Sequence, residues 1–476
     1  MVGFVERHGL RSAEQDIDAL LRRVQEAGLE AVRISFVDQH GVPRGKTMMV
    51  DGLAAALENG VAMTSTLLLK DTSHRTVFPV WQADAGFGPG RLTGAGDVIM
   101  VPDPATFRIL PWSPQNGWLL ADLYYPDGQA VPVCSRAILR QALARLHVKG
   151  HEIVTGLEVE FHVLRLLDPH LSLEDAGQPG TPPETALMAQ GYQYLTEQRY
   201  DELEPVFDVI RKNCLGLGLP LATLEVEFGP SQIEATFQPA GALANADNMV
   251  LFRSMVKAVC RRQGWHATFM CRPRFDAAMA SGWHLHQSLV DGHSGRNLFE
   301  PGPGEAISEL GRHWIAGLLE HAAASCLFAT PTINGYKRYR PHALAPDRIQ
   351  WGVDNKGAMI RALAAPGNRN SRVENRIGEP AANPYLYIAS QVLAGLDGIE
   401  RQLRAPDPVE RPYDSDAPAL PKTLLEAIES LSGSAFHRAQ LGDPFVDYIT
   451  RIKRAEWNRY LATVSEWEER EYLSLF

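Results

Sequence analysis

Four short stretches of the chain set acids, imidazoles and guanidinium groups at alternate positions. In GLEVEFHV, Glu158 and Glu160 are two residues apart. In an extended segment they share a face, roughly 6.6 to 6.8 Å apart along the chain, while Leu157, Val159 and Phe161 take the other. LEVEFGPSQIEATF sets Glu225 and Glu227 against Leu224, Val226 and Phe228, turns at Gly229-Pro230-Ser231, then sets Glu234 and Thr236 against Ile233, Ala235 and Phe237. Such a hairpin brings Glu227 and Glu234 together. SGWHLHQS puts His284, His286 and Ser288 on one face, and SRVENRI does the same for Arg372, Glu374 and Arg376, with Val373 and Ile377 opposite. Taken singly, each pattern is also what a solvated strand face or a charge ladder shows. Together they supply six glutamates and two histidines on such faces, and Arg338 and Arg361 join Arg372 and Arg376. Oxygen-rich ligands suit Mg²⁺ or Mn²⁺ rather than zinc, and such ions beside arginines suit phosphoryl transfer from a nucleotide. There is no phosphate-binding GxxxxGK[ST] loop: GVPRGKT, from Gly41 to Thr47, is one residue short. ATP would therefore be held in another way.

Strand-like segments must position these groups, and the pattern around them is mixed. A capping box at Ser12 and Gln15 predicts a helix carrying Ile17, Leu20, Leu21 and Val24, stopped at Gly28. Val32, Ile34 and Phe36 alternate as in a half-buried strand. A second short run spans Met48 to Val50, Asp51 is expected to cap a short helix ending near Gly60, and residues 83 to 96 read as a glycine-rich loop. Strands are expected at Val98 to Val101 and Trp118 to Tyr125. After a turn-rich stretch at 124–135, Ser135 is expected to cap a helix closed by Gly150, followed by one long strand through HEIVTGLEVEFHVL and, at 174–184, a surface loop. The C-terminal EWNRYLATVSEWEEREYLSLF reads as an aromatic-rich helix docked on the body.

The chain has 476 residues, enough for two domains. Its 46 basic and 56 acidic residues leave a net charge of -10, a poor match for nonspecific binding to nucleic acid or an anionic membrane. No apolar run approaches the length of a membrane span, and MVGFVERHGLRSAEQ has no apolar leader. Cys134, Cys214, Cys260, Cys271 and Cys326 are scattered without a CxxC, which argues against a disulfide framework or a structural zinc. A cytoplasmic protein is expected.

The ordered set GLEVEF (156–161), EFGPSQIE (227–234), SGWHLHQSL (281–289), NGYKR (334–338), MIRA (359–362), SRVENR (371–376) and EPAANPYL (379–386) resembles the glutamine synthetase family over nearly the whole chain. The resemblance implies an α+β fold: an N-terminal β-grasp domain, residues 1–125, and a catalytic domain, residues 126–476, whose curved antiparallel sheet is surrounded by helices. It implies ATP, two or three Mg²⁺ or Mn²⁺ ions, glutamate and an amine as substrates, and a double-ring dodecamer with sites shared between subunits. By motif, one metal site resembles Glu160, Glu227 and Glu234, and another Glu158, His284 and Glu374. Arg338 and Arg376 resemble the arginines that hold glutamate and its acyl phosphate. His286, Ser288, Arg361 and Arg372 resemble residues around ATP. Lys356 stands where an arginine facing the transferred phosphoryl group is usual.

The departures bear on the amine. Family glutamine synthetases carry a flap glutamate where this chain has Leu344, and an N-terminal aspartate near the place of Thr64. Those two acids bind ammonium and take its proton, so their loss removes the charge and base that ammonia needs. Met279 and Trp283, beside the His284 motif, add apolar bulk. The resemblance therefore points to a ligase joining glutamate to an amine other than ammonia, with aromatic or apolar monoamines such as aniline ranked first and polyamines or ethanolamine second. An authentic glutamine synthetase, a ligase for another carboxylate and a non-catalytic relative are the alternatives. Tyr413 is only a loose match to the family's adenylylation tyrosine.

Overall fold

A computed structural model describes residues 2–11, 16–82 and 91–476. The capping box expected at Ser12 and Gln15 and most of the glycine-rich stretch 83–96 lie outside the described residues. Helix α1 is Phe4–Arg7, and α2, Ile17–Glu26, is capped by Asp16, whose side chain accepts from the Ala19 amide. Strands β1 (Ala31–Val37), β2 (Pro43–Met49), β3 (Val61–Thr64), β4 (Asp97–Pro102), β5 (Arg108–Ile109) and β6 (Asn116–Tyr124) form one six-stranded sheet. Its order is β2-β1-β6-β4-β3, with β1 and β6 parallel. Helix α3 (Leu53–Asn59) follows a 3-10 turn at Val50–Gly52, so Asp51 lies inside that turn and Gly52 is the cap residue, rather than Asp51 as expected.

Helix α4 (Ser135–Val148) enters the second unit, with Cys134 rather than Ser135 at the cap position. A ten-stranded sheet follows, built on β7 (His151–Asp168). The others are β8 (Glu184–Leu187), β9 (Leu221–Val226), β10 (Gln232–Phe237), β11 (Ala240–Gly241), β12 (Trp265–Thr268), β13 (Trp283–Asp291), β14 (Trp351–Val353), β15 (Ile360–Leu363) and β16 (Arg372–Gly378). The main path runs β14-β15-β16-β13-β7-β10-β9, antiparallel except between β14 and β15. Helices α5 (Glu197–Leu217), α6 (Ala242–Arg262), α7 (Glu309–Glu320), α8 (Ala322–Ala329) and α9 (Pro384–Glu400) cover it, and α10 (Leu424–Ser432), α11 (Ala435–Leu441), α12 (Asp443–Leu461) and α13 (Glu466–Tyr472) close the chain.

The alternation in β7 explains why one face holds the core. Leu157, Val159 and Phe161 are fully buried, and Phe161 packs edge-on against Phe252 of α6. The opposite face is left for the glutamates. The C-terminal stretch is not one docked helix. Phe445, Tyr448 and Ile452 of α12 are buried, but α12 ends at Leu461, α13 starts after the Ser465 cap, and Trp467, Leu473 and Phe476 are exposed. Among the described residues no helix is long and apolar enough to cross a membrane. All five cysteines are free and buried.

Candidate active site

Register brings the four motifs onto one sheet face. Glu158 of β7 stands opposite His284 of β13, and Glu160 stands opposite Glu234 of β10. His286 pairs with Glu374 of β16, which in turn pairs with Arg361 of β15. Like charges directly opposite repel, so this register is costly unless something compensates the acids.

Two adjoining cavities lie along this face. The first, about 490 Å³, is lined by Glu158, Glu160, Glu227, Glu234, His284, Arg338, Arg376, Lys356, Met279 and Leu344. The second, about 580 Å³, is lined by His286, Ser288, Arg361 and Arg372. Glu158 and Arg361 border both.

Within the first cavity the acids are unevenly balanced. Burial, reinforced by Glu158, Glu160, Glu227 and Glu225, pushes Glu234 up to about 11. Burial and then Glu227 push Glu160 up to about 8, although Arg338 and the Gly282 amide favour its charge. Burial, with Glu225 and Glu158, pushes Glu227 up to about 7. Burial opposes charge on Glu158 and Glu374 too, but His284 and His286 hold Glu158 below the usual carboxylate range, and Arg376 with the histidines does so for Glu374. His284 donates from Nδ1 to Glu158 Oε1 at 2.6 Å, and Arg338 Nη2 lies 3.1 Å from its Nε2. Burial and Arg376 bring its pKa down to about 4, so the ring is neutral, as a metal ligand must be.

This donor set fits divalent cations. Glu158, Glu234 and His284 each offer a ligand atom within 4.8 Å of one another, and so do Glu158, His286 and Glu374. These groupings differ from the two sequence-based trios: Glu158 belongs to both, and Glu160 instead accepts from Gln232 Nε2 at 3.1 Å and from the Gly282 amide at 3.1 Å. Crowded, buried carboxylates with hard oxygen donors are what Mg²⁺ or Mn²⁺ compensates.

The arginines are fixed by the backbone. Arg338 Nη1 donates to the Arg376 carbonyl at 2.7 Å, and Arg376 pairs with Glu374. A side chain at Gly282 would put a Cβ 2.6 Å from Arg338 Nη2, so only glycine lets that guanidinium reach His284. Arg361 spans Asp354 and Glu374, the latter at 3.1 Å. Arg372 donates to His286 Nδ1 at 3.1 Å.

Two expected pocket residues are elsewhere. Trp283 is fully buried on the core side of β13 and packs edge-on to Tyr387 at 5.1 Å, because strand alternation that turns His284 to the site must turn Trp283 away. Thr64, at the end of β3, bonds to Thr66 and Ala95 and lines neither cavity of its own chain. Conversely, Phe228 does not join Leu224 and Val226 in the core. Strand β9 ends at Val226, and beyond it Phe228 enters the pocket and stacks on Tyr194, rings 4.4 Å apart and 8° from parallel. Glu225, on the acid face of the hairpin, also lines the first cavity, as do Tyr194 and Gln232, which the sequence pattern does not mark. Gln232 lies inside the EFGPSQIE stretch; Tyr194, on a loop before α5, carries no local signal.

A model of the glutamine synthetase catalytic domain matches residues 132–472. The chain belongs to the glutamine synthetase family. A γ-glutamylanilide synthase of Acinetobacter sp. is 41% identical to it, over 99% of both chains. A γ-glutamylethanolamide synthetase of Streptomyces coelicolor is 32% identical over 97% of this chain and 96% of the relative. Among solved structures, a GmaS/ADP complex superposes with a TM-score of 0.80 at 28% identity, covering 97% of this chain and 100% of that one. Glutamine synthetase family ligases are ATP-dependent enzymes that form carbon–nitrogen bonds and use divalent metals, and the two cavities of this family member meet at Glu158 and Arg361.

Proposed function

We propose that the chain is an ATP-dependent ligase that joins the γ-carboxylate of glutamate to an aromatic or other apolar monoamine, aniline being the type case, through γ-glutamyl phosphate. The observation that carries this reading is the wall of the first cavity. Leu344, Met279 and the stacked Tyr194–Phe228 pair face the carboxylates where ammonia chemistry would call for acids. A flat apolar ring suits that wall, and an aryl amine, largely neutral at pH 7, needs no base to free its lone pair. The relatives' names add support: the Acinetobacter protein, 41% identical, is named for the anilide, the Streptomyces one for the ethanolamide.

In this reading ATP lies in the second cavity, against His286, Ser288, Arg361 and Arg372, and glutamate in the first. Glu158, Glu160, Glu227, Glu234, His284 and Glu374 would hold two or three Mg²⁺ or Mn²⁺ ions, which would supply neutralising charge to the phosphates. Arg338 and Arg376, immobilised by the contacts above, grip the carboxylate and then the acyl phosphate, and Lys356 supports the transferring phosphoryl as a point charge. The acyl phosphate must be kept from water until the amine attacks.

The same reading assigns residues 1–125 to a β-grasp domain and 126–476 to the catalytic domain, and places the protein in the cytoplasm, in keeping with five free cysteines. Because Thr64 does not reach its own chain's pocket, it would complete a neighbour's in a double-ring dodecamer. Phosphate release from ATP with glutamate and aniline, isopropylamine, ethanolamine, putrescine or ammonia tests the proposal. Highest catalytic efficiency with aniline is expected. A clear preference for putrescine or ammonia overturns the amine assignment, and no turnover with any amine overturns the ligase.

A further inference from the structure

Behind the carboxylates of the first cavity lies a row of buried polar side chains that the proposed chemistry does not use. In the β7–β10 ladder the pair next to Glu160 and Glu234 on the same face is His162 and Gln232. Gln232 is 1% exposed, and Ser281 and His162 are fully buried.

Every polar atom of the Gln232 amide is committed. Its Oε1 accepts from the Gly229 N–H at 2.9 Å, which fixes the amide's orientation. Its Nε2 therefore carries the two donors, one to Ser281 Oγ at 3.0 Å and one to Glu160 Oε2 at 3.1 Å. Ser281 Oγ lies in turn 3.4 Å from His162 Nδ1. The turn before β10 allows this close approach, since a Cβ at Gly229 would stand 2.5 Å from Gln232 Oε1.

The consequence falls on Glu160, whose two oxygens are unequal. Oε2 accepts from Gln232 and from the Gly282 amide, each at 3.1 Å, which uses both of its lone pairs. Oε1 accepts no hydrogen bond among the described residues, is not sealed from the cavity, and lies 3.8 Å from His284 Nε2. One oxygen is held by the protein and one is left for a cation. Octahedral Mg²⁺ or Mn²⁺ is served by one oxygen from a carboxylate, whereas Ca²⁺ takes about six to eight oxygens and gains from carboxylates that offer both.

We propose, resting on the reading above that Glu160 holds a metal, that Gln232 is a positioning residue that makes Glu160 a one-oxygen ligand and so favours Mg²⁺ or Mn²⁺ over Ca²⁺.

The test is titration of the intact protein with Mn²⁺, and with Ca²⁺ in competition, without nucleotide or substrate, read from the electron paramagnetic resonance signal of free Mn²⁺. Glu160→Ala identifies the Mn²⁺ sites that depend on that carboxylate. Gln232→Leu keeps the bulk of the side chain and removes its donors. It should weaken Mn²⁺ at the same sites about 10- to 100-fold and Ca²⁺ by less, moving the ratio of the two Kd values about tenfold toward Ca²⁺. Ser281 lines neither catalytic cavity. Ser281→Ala frees the amide without touching Glu160, so it should move the ratio the same way by less, and it decides the outcome if Gln232→Leu does not fold. Undiminished Mn²⁺ binding in Glu160→Ala removes Glu160 from the metal site and the role of Gln232 with it. If Glu160→Ala weakens Mn²⁺ and Gln232→Leu does not, Glu160 is a ligand that needs no positioning, and the proposal is overturned. Equal losses of Mn²⁺ and Ca²⁺ in Gln232→Leu also overturn it, because the glutamine then only supports the fold.

Discussion

Buried charge is concentrated in two regions, and the two are balanced in opposite ways. At the junction of the sheets, Arg136 of α4 is 3% exposed and bonds Asp103, Asp122 and Asp247, while Arg140 shares the first two acids and the Tyr385 hydroxyl donates to Asp247 at 2.6 Å. Every acid there has a cation in contact, and the cluster bolts β4, β6, α4 and α6 together. On the face of the ten-stranded sheet, Glu160 and Glu234 stand opposite each other in register with Glu227 and Glu225 close by, and burial pushes three of these carboxyls upward. The first cluster is closed within the chain; the second is left short of positive charge, which the proposed metal–nucleotide complex would supply.

The sharpest way to break this contrast is to remove one member of each cluster. Glu234→Ala should lower ATP-dependent ligation by about 10³-fold or more, the several kcal/mol that a metal-held charge clamp supplies. Thermal stability should stay the same or rise, because a repulsion is relieved. Full activity in that variant and in Glu160→Ala would show that the carboxylates do not hold the metals. Arg136→Ala should do the reverse. It leaves buried aspartates unpaired and should cost about 3–5 kcal/mol of stability by chemical denaturation, with turnover per folded molecule retained.

Glu379 lies between the two cases. It is fully buried and accepts from the Thr332 amide and hydroxyl at 2.8 Å each, without a cation in contact among the described residues. Burial pushes its pKa up to about 7. As pH rises from the ordinary carboxylate range toward 7, the unfolded chain loses this proton while the folded one keeps it, so stability falls through that window. Glu379→Gln should flatten the decline, worth about 1–3 kcal/mol, in melting temperatures measured from pH 5 to 8. An unchanged slope would mean that Thr332 already holds the carboxylate charged.

The smallest effect concerns the amine. Leu344, on a left-handed backbone at φ 53° and half exposed, borders the acids. Leu344→Glu adds another negative charge there. It should lower kcat/KM for aniline about tenfold and raise that for ammonia, since a positioned base is worth about 10²–10⁴-fold when correctly placed. No shift in the aniline-to-ammonia ratio would remove Leu344 from the amine pocket.

Local pattern alone determined which side chains share a face. The period-two alternation of β7, β10, β13 and β16 put Glu158, Glu160, Glu234, His284, His286, Arg372, Glu374 and Arg376 on faces opposite to the core, because side-chain direction in a strand is set by position parity. The same parity places Trp283 in the core, against the expectation that it borders the amine. Tertiary structure decided the rest. Which glutamate meets which histidine depends on strand register, and register follows from packing across the sheet. Phe228 reached the pocket because β9 stops at Val226, where parity no longer applies. Tyr194 came from a loop whose only relation to Phe228 is spatial.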